Sequence, residues 1–251
     1  MVNELLEDEL ELIVNGSVET LDDNLKAIIL FGSGNNTDFI EGLSDLDFMY
    51  IMGNLNYLEI GKIKDIRNWA HNETGRKVDI KPFSLAEFNA GIEGKGTFEF
   101  FTGWGLEMIR QGKQRCLYNS GDVPLDYVVD EKRIKADAFE RAHYYITKLR
   151  KLYSSNEPVI LRGEVKESDQ MDRLKLTGSA IKNILTFCLA SEGIFLDGVN
   201  KVLEQSEKRY GKLGIFHRLF KLKSDKQYDS NVLIESYNKI EEIYQRTLTG
   251  K

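Results

Sequence analysis

The chain has 251 residues and a mass of 28.8 kDa, a length that accommodates one large domain or two small ones. Its composition is 41% hydrophobic and 29% charged, with three prolines, which excludes collagen-like, disordered and disulfide-scaffold proteins. No apolar run is long enough to span a bilayer, and the acidic amino terminus lacks the order of a secretory signal. We therefore expect a cytoplasmic protein with no membrane association.

The net charge of −6 conceals two halves of opposite sign. Residues 1–126 contain 11 Lys and Arg against 22 Asp and Glu, whereas residues 127–251 contain 23 against 18. This asymmetry indicates two modules, one suited to cations such as metal ions and the other tolerant of anions. The two cysteines, Cys116 and Cys188, lie far apart and form no Cys-x-x-Cys motif, so neither a zinc site nor a disulfide framework is indicated.

In the first half, short apolar runs alternate with turns. Residues 27–31 form a continuous apolar run closed by a glycine, which predicts a strand buried on both faces. Residues 45–52 and 76–83 alternate between two kinds of side chain, as strands do, and residues 57–73 have the apolar spacing of a helix. The pattern predicts an α/β domain over residues 1–126, with a mixed sheet and few helices.

In the second half, apolar residues recur at helical spacing over 134–152, 174–189 and 233–244. These segments are predicted to pack as an all-α helical bundle over residues 127–251. The polar turn at residues 119–124 contains a glycine and a proline and is the predicted hinge between the two domains.

The residues that indicate chemistry lie at the junction of the first two predicted strands. The first strand ends at Gly32 and Ser33, a polar loop follows, and the second strand begins with Asp45 and Asp47. Positions i and i+2 of a strand share a face, about 7 Å apart. Two carboxylates so placed repel each other unless cations lie between them, and Mg2+ prefers carboxylate and phosphate oxygens. A glycine at a strand end lets backbone N–H groups approach phosphate oxygens, and a serine hydroxyl adds a donor.

A third carboxylate, Asp79, lies on the polar face of the later strand and is a candidate to complete the metal site. Two metal ions about 4 Å apart would bind both the attacking and the leaving oxygen of an in-line phosphoryl displacement. A Gly-Ser pair, a spacer, an Asp-x-Asp pair and a distant Asp therefore indicate a protein that acts on nucleoside triphosphates.

At these residues the chain resembles the nucleotidyltransferase superfamily that includes DNA polymerase beta, whose signature is Gly-Ser, a spacer, Asp-x-Asp and a third acid. The resemblance implies two Mg2+ ions at Asp45, Asp47 and Asp79, with the triphosphate bound at Gly32 and Ser33. It also implies that Asp79 either completes the metal site or helps to deprotonate the acceptor.

The size and the helical second half look most like the small-molecule branch of that superfamily, typified by the kanamycin and lincosamide nucleotidyltransferases. The resemblance makes residues 1–126 the nucleotidyltransferase catalytic domain and residues 127–251 the helical acceptor-binding domain. The run Leu117-Tyr-Asn-Ser-Gly121 is similar to a turn in those enzymes. Phe139-Glu-Arg-Ala142 resembles the helix that carries the general base of the kanamycin enzyme, so the resemblance makes Glu140 the candidate base.

The chain departs from many relatives in the loop after Gly-Ser. Those relatives carry an arginine or a lysine there, whereas residues 34–38 contain none. The positive charge that binds the triphosphate is therefore expected from Lys77, Lys81 or a residue of the helical half such as Lys148.

The leading hypothesis is transfer of a nucleoside monophosphate, with AMP from Mg-ATP as first choice, to a hydroxyl of a small acceptor such as an antibiotic. Two alternatives stay open. The first is a protein- or RNA-modifying adenylyltransferase of toxin–antitoxin type that docks through the basic stretch 201–226, and the second is a non-catalytic nucleotide-binding module. The leading hypothesis expects no nucleic-acid partner and leaves open a homodimer.

Overall fold

A computed structural model describes residues 4–35, 45–95, 101–154, 159–161, 164–166, 170–196 and 198–249. The chain separates into two compact units, Met1–Asp130 and Glu131–Lys251. The first contains a mixed sheet with helices and the second is mainly helical, so the predicted fold class, an α/β domain followed by a helical bundle, is confirmed. Within the described ranges, no helix has the length and hydropathy that a bilayer crossing requires.

The first unit is built around one sheet. Its elements in chain order are α1 Glu4–Leu21, β1 Leu25–Phe31, β2 Leu46–Met52, α2 Tyr57–Thr74, β3 Val78–Ser84, α3 Leu85–Ile92, α4 Gly103–Arg110 and β4 Arg115–Asn119. In the described part of the chain the strand order is β3-β2-β1-β4. β1 is antiparallel to β2 and β4, whereas β2 and β3 are parallel. Parallel neighbours need a crossover connection, and α2 supplies it.

Helices α1 and α2 cover one face of the sheet. Leu46, Phe48 and Tyr50 of the central strand β2 point to this face and are fully buried in its apolar core. Ser17 of α1 donates a hydrogen bond to the carbonyl of Ile13, so the 2.6 Å bond between Ser17 Oγ and the Tyr50 hydroxyl is donated by the tyrosine. Burial raises the pKa of Tyr50, so its hydroxyl stays protonated and can donate this hydrogen bond.

The opposite face of the sheet carries both apolar and charged side chains. Met49 and Ile51 of β2 are fully buried there. Phe83 at the end of β3 packs edge to face on Phe101, with ring centroids 4.8 Å apart, and Phe101 packs in the same way on Phe88 of α3. The residues that precede Met49 on this face are Asp47 and Asp45, as the alternation of the sequence predicts.

Helix α1 also fastens the two edge strands of the sheet. Glu9 accepts a hydrogen bond of 2.5 Å from Arg76, which lies just before β3 and is buried. Glu7 accepts two hydrogen bonds, of 2.6 and 2.7 Å, from Arg115 at the start of β4, and this guanidinium lowers the pKa of Glu7. One helix therefore spans the sheet and binds both of its edges through ion pairs.

The predicted hinge is a compact turn that belongs to the first unit. The side chain of Asn119 accepts a hydrogen bond from the backbone of Gly121 and donates one to the carbonyl of Val123, both at 2.9 Å. Asp122 forms a 2.6 Å ion pair with Lys26 of β1. These contacts fasten the turn to the sheet.

The second unit is a bundle of helices with a short hairpin. Its elements are α5 Glu131–Ser154, β5 Val159–Leu161, β6 Glu164–Lys166, α6 Gln170–Ser191, α7 Val199–Tyr210, α8 Gly214–Asp225 and α9 Ser230–Thr249. Ala138, Ala142 and Ile146 lie on one side of α5 and are fully buried, which explains the helical apolar spacing of this segment. Arg150 of α5 donates two hydrogen bonds, of 2.7 and 2.8 Å, to Glu241 of α9 and lowers the pKa of that carboxyl.

Candidate functional site

The site begins where β1 ends, at Gly32. This residue opens a 3-10 turn, Gly32–Asn35, that contains Ser33, and its φ of +72° lies in the left-handed region that favours glycine. A Cβ atom at Gly32 would lie 2.6 Å from Oδ2 of Asp47. The carboxylate of Asp47 therefore occupies the space that a side chain at position 32 would need, and only glycine fits there. Residues 36–44, most of the predicted spacer, lie outside the described residues.

Two of the predicted carboxylates occupy equivalent positions on neighbouring strands. In the parallel pair of β2 and β3, Asp47 is the register partner of Asp79, and on the other side of β2 the partner of Asp47 is Phe31. Register partners of adjacent strands point to the same face and lie about 5 Å apart at the backbone. The carboxyl end of β1 and the amino ends of β2 and β3 thus lie side by side. We call this group of strand ends, with Asp47 on the middle strand, the site end of the sheet.

The third carboxylate, Asp45, lies immediately before β2 and forms an ion pair that the sequence did not indicate. Its Oδ2 atom lies 2.6 Å from Nζ of Lys77, the residue before β3, and the backbone N–H of Leu46 donates to the Lys77 carbonyl at 2.9 Å. The side chains of Lys77 and Asp45 remain 49% and 27% exposed. The signal that could have identified this pair is the strand register, because the pairing of Leu46 with Val78 places Asp45 beside Lys77.

A second lysine lies on the same face of β3. Lys81 is two residues beyond Asp79, is half-buried, and its Nζ lies 5.4 Å from the centre of the Phe31 ring. The ring face of Phe31 attracts the ammonium group and holds it near the carboxyl end of β1. Since Lys77 precedes Asp79 by two residues, β3 and the residue before it present lysine, aspartate and lysine in succession on the face that carries Asp47.

The carboxylates at the site end of the sheet are the kind of ligand that magnesium prefers. Mg2+ binds carboxylate oxygens and substrate phosphates, commonly through one or two protein carboxylates, and Asp47 and Asp79 occupy neighbouring positions of one face. An ammonium group already lies on Asp45, as a cation would. However, within the ranges that the structure describes, no three His, Cys, Asp or Glu side chains form a group that could bind a metal ion. The predicted centre of Asp45, Asp47 and Asp79 is thus a set of residues on one face, not a preformed cage.

The other two predicted residues belong to the second unit. Glu140 and Lys148 lie on α5, and both are exposed. With Tyr144 between them they form a stripe at i, i+4 and i+8, and Nζ of Lys148 lies 4.4 Å from the centre of the Tyr144 ring. The sequence-predicted site therefore divides into seven residues of the first unit and this stripe of the second.

At least three of the eight basic side chains in the stretch 201–226 lie within 4 Å of a carboxylate. Lys208 pairs with Glu204 at 2.7 Å, Arg209 with Glu192 at 2.6 Å, and Arg218 lies 3.9 Å from Asp229. Carboxylates so close to the basic side chains reduce the positive field that a nucleic acid would meet. The stretch is therefore a mixed-charge surface of α7 and α8.

The chain is similar to proteins of known structure, although no protein-family profile and no curated protein matches its sequence. Among solved structures, the chain is similar to the spectinomycin adenyltransferase AAD(9) from Enterococcus faecialis, whose crystal structure contains ATP and spectinomycin. The TM-score is 0.56 at 12% identity, over 96% of this chain and 98% of that chain.

A second solved structure matches less well. It is a nucleotidyltransferase-like protein from Exiguobacterium sibiricum 255-15, with a TM-score of 0.32 at 12% identity, over 94% of this chain and 74% of that chain. A score at this level carries no argument about the fold. The first match shows that the chain has the fold of an antibiotic nucleotidyltransferase, in agreement with the resemblance inferred from the sequence.

Proposed function

We propose that this protein is a nucleotidyltransferase that moves a nucleoside monophosphate, with ATP as the first candidate donor, to a hydroxyl group of a small acceptor such as an antibiotic. The observation that carries the proposal is the register of Asp47 and Asp79 on parallel strands beside Gly32. The fold shared with a spectinomycin adenyltransferase supports it and makes spectinomycin the first acceptor to test. Fold alone would not suffice, because one fold hosts many activities.

The residues at the site end of the sheet would bind and orient the triphosphate. The turn that begins at Gly32 and includes Ser33 lies beside the Asp47 carboxylate, and its backbone N–H groups would donate to phosphate oxygens. Lys77 and Lys81 supply positive charge on either side of Asp79. Magnesium, bound by Asp45, Asp47 and Asp79, would neutralise the phosphate charge that develops during transfer.

The reaction exchanges a phosphoanhydride bond of the triphosphate for a phosphoester bond to the acceptor. The oxygen of the acceptor hydroxyl attacks the α-phosphorus, the bond from that phosphorus to the bridging oxygen of the β-phosphate breaks, and pyrophosphate leaves. The proton of the hydroxyl passes to a carboxylate. We assign this role to Glu140 of α5, on the resemblance of its helix to the one that carries the general base of the kanamycin enzyme, with Asp79 as the alternative base.

The assignment of the base is tested by the Glu140→Gln variant. Loss of a general base is expected to lower kcat by about 10²-fold or more, with little change in the KM for the nucleotide. Glu131→Gln, at another exposed carboxylate of α5, is the matched control. Unchanged kcat in Glu140→Gln would transfer the role to Asp79.

The function itself is tested by incubating the full chain with each of the four nucleoside triphosphates, Mg2+ and a pooled library of hydroxyl-bearing antibiotics that includes spectinomycin. Mass spectrometry should detect an acceptor that has gained one nucleoside monophosphate, and an equal amount of pyrophosphate should appear. A folded protein that binds nucleotide but releases no pyrophosphate with any acceptor would contradict the proposal and favour a non-catalytic nucleotide-binding module.

A further inference from the structure

We propose that Lys77 competes with the divalent cation for Asp45 and moves to the triphosphate when a nucleotide binds, so that metal and nucleotide bind together. The inference rests on the proposed nucleotidyltransferase function and adds a regulatory role for one lysine. It starts from a single contact, the 2.6 Å ion pair between Nζ of Lys77 and Oδ2 of Asp45. That oxygen belongs to one of the three carboxylates that share the metal-binding face.

The ammonium group and a divalent cation at Asp45 exclude each other on electrostatic grounds. Both are positive, and a metal bound to the Asp45 carboxylate would lie within a few ångström of an ammonium that is hydrogen-bonded to the same group. At such a distance the repulsion is large unless nearby anions compensate it. Lys77 therefore raises the metal concentration that is needed to occupy the site.

The backbone of Lys77 is held in place by hydrogen bonds, whereas its ammonium group is able to move. Its carbonyl accepts the hydrogen bond from Leu46, and the preceding residue, Arg76, is buried and paired with Glu9. The Lys77 side chain beyond this anchor is 49% exposed, on a flexible four-carbon stem. The ammonium group can thus change partners without disturbing the strand.

A bound triphosphate changes the balance of charge. Its phosphates offer the Lys77 ammonium a new anionic partner on the same face, which releases Asp45 to the metal. The metal and the phosphates then attract each other, whereas Lys81 stays oriented by the Phe31 ring. Removing the charge of Lys77 should therefore have opposite effects on metal binding without nucleotide and on nucleotide binding with metal.

The test is a titration of Mn2+ into the full chain, followed by electron paramagnetic resonance, for wild type and Lys77→Gln. Without nucleotide, the variant is expected to bind Mn2+ about tenfold more tightly, because a competing charge has been removed. With saturating Mn2+, its affinity for α,β-methylene-ATP should fall about tenfold, since a phosphate ligand is lost. Lys77→Arg, which keeps the charge, should behave like the wild type in the first titration.

The controls separate competition from a general change in the protein. Lys62→Gln removes an exposed lysine that pairs with Glu59 on α2 and should alter neither affinity. Adding Asp45→Asn to Lys77→Gln should abolish the gain in Mn2+ affinity. An unchanged or weaker Mn2+ affinity in Lys77→Gln, or no Mn2+ binding to either protein, would overturn the inference. Absence of nucleotidyl transfer by the wild type would instead refute the proposed function, and the metal titration does not depend on it.

Discussion

Charged side chains are arranged in opposite ways at two places, the strand ends around Asp47 in the first unit and the contact between α5 and α9 in the second. At the site end of the sheet, Asp45, Asp47 and Asp79 share one face, and Asp47 and Asp79 are direct register partners. Like charges at partner positions of neighbouring strands destabilise a sheet. In the second unit, opposite charges meet instead, as in the paired hydrogen bonds of Arg150 and Glu241. The comparison teaches that an unfavourable arrangement of like charges coincides with the residues of the proposed active site, whereas the contact between α5 and α9 uses opposite charges to join two helices.

The largest expected effect comes from Asp47→Asn, which removes one charge of the like-charged pair. Nucleotidyl transfer should fall by about 10³-fold or more, because the central carboxylate of the site loses its affinity for cations. The free energy of unfolding should stay unchanged or rise, since repulsion of Asp79 is relieved. Kinetics and urea denaturation measure the two effects, and Asp65→Asn, at an exposed position of α2, is the control. A variant that is less stable and still active would break the comparison.

A smaller loss of activity is expected for Gly32→Ala, which changes the backbone beside the same carboxylate. The new Cβ would lie 2.6 Å from Oδ2 of Asp47 and must displace it. A misplaced catalytic group commonly costs about 10²-fold in rate. The φ of +72° should also cost about 1–2 kcal/mol in the free energy of unfolding. Turnover and urea denaturation are the measurements, and Gly61→Ala, where a Cβ meets nothing within 4 Å, is the control. Wild-type turnover in Gly32→Ala would contradict the close approach.

The smallest effect is expected in the second unit, for Glu241→Gln, and it concerns stability alone. At pH 7 the variant should lose about 1 kcal/mol in the free energy of unfolding, within the range of a partly exposed ion pair. Arg150 holds the pKa of Glu241 below its unfolded value. The pair therefore stabilises the fold above the unfolded pKa, and this contribution is lost as the pH falls through the folded pKa.

The difference between wild type and Glu241→Gln should therefore shrink below about pH 4, where glutamate begins to protonate even without a partner. Urea denaturation at pH 7 and at pH 3.5 measures it. Glu235→Gln, at an exposed position of the same helix, should show no such pH dependence. A difference of the same size at both pH values would mean that packing, and not charge, is what Glu241 contributes.

Much of the first unit could be predicted because its strands have strong local patterns. The apolar run that ends at Gly32 and the alternation from Asp45 to Met52 depend on short-range periodicity, and both segments are strands in the structure. Helix α1 was missed because its acidic residues were interpreted only as evidence against a secretory signal. Leu6, Leu10 and Ile13 recur at helical spacing and are buried, so the same test of periodicity would have found the helix.

The contacts of the site were less predictable than its residues. The sequence assigned Lys77 to the triphosphate, and its ion pair with Asp45 follows only from the register of β2 and β3, which are joined by a crossover helix. Register between parallel strands depends on packing across the whole sheet, which local spacing does not encode. Local spacing likewise does not encode the pairing of Glu7 and Glu9 with distant arginines, because those contacts depend on how α1 packs on the sheet.

The position of α1 has a consequence for how the chain is made. This helix is synthesised before the strands of the sheet, yet its ion pair at Glu7 requires Arg115, which is 108 residues away. Contacts of such long sequence separation form late and slow the folding of a domain. Until the last strand of the sheet has been synthesised, the apolar side of the nascent helix has no complete surface to dock on, and the unit is exposed to chaperones and proteases during that interval.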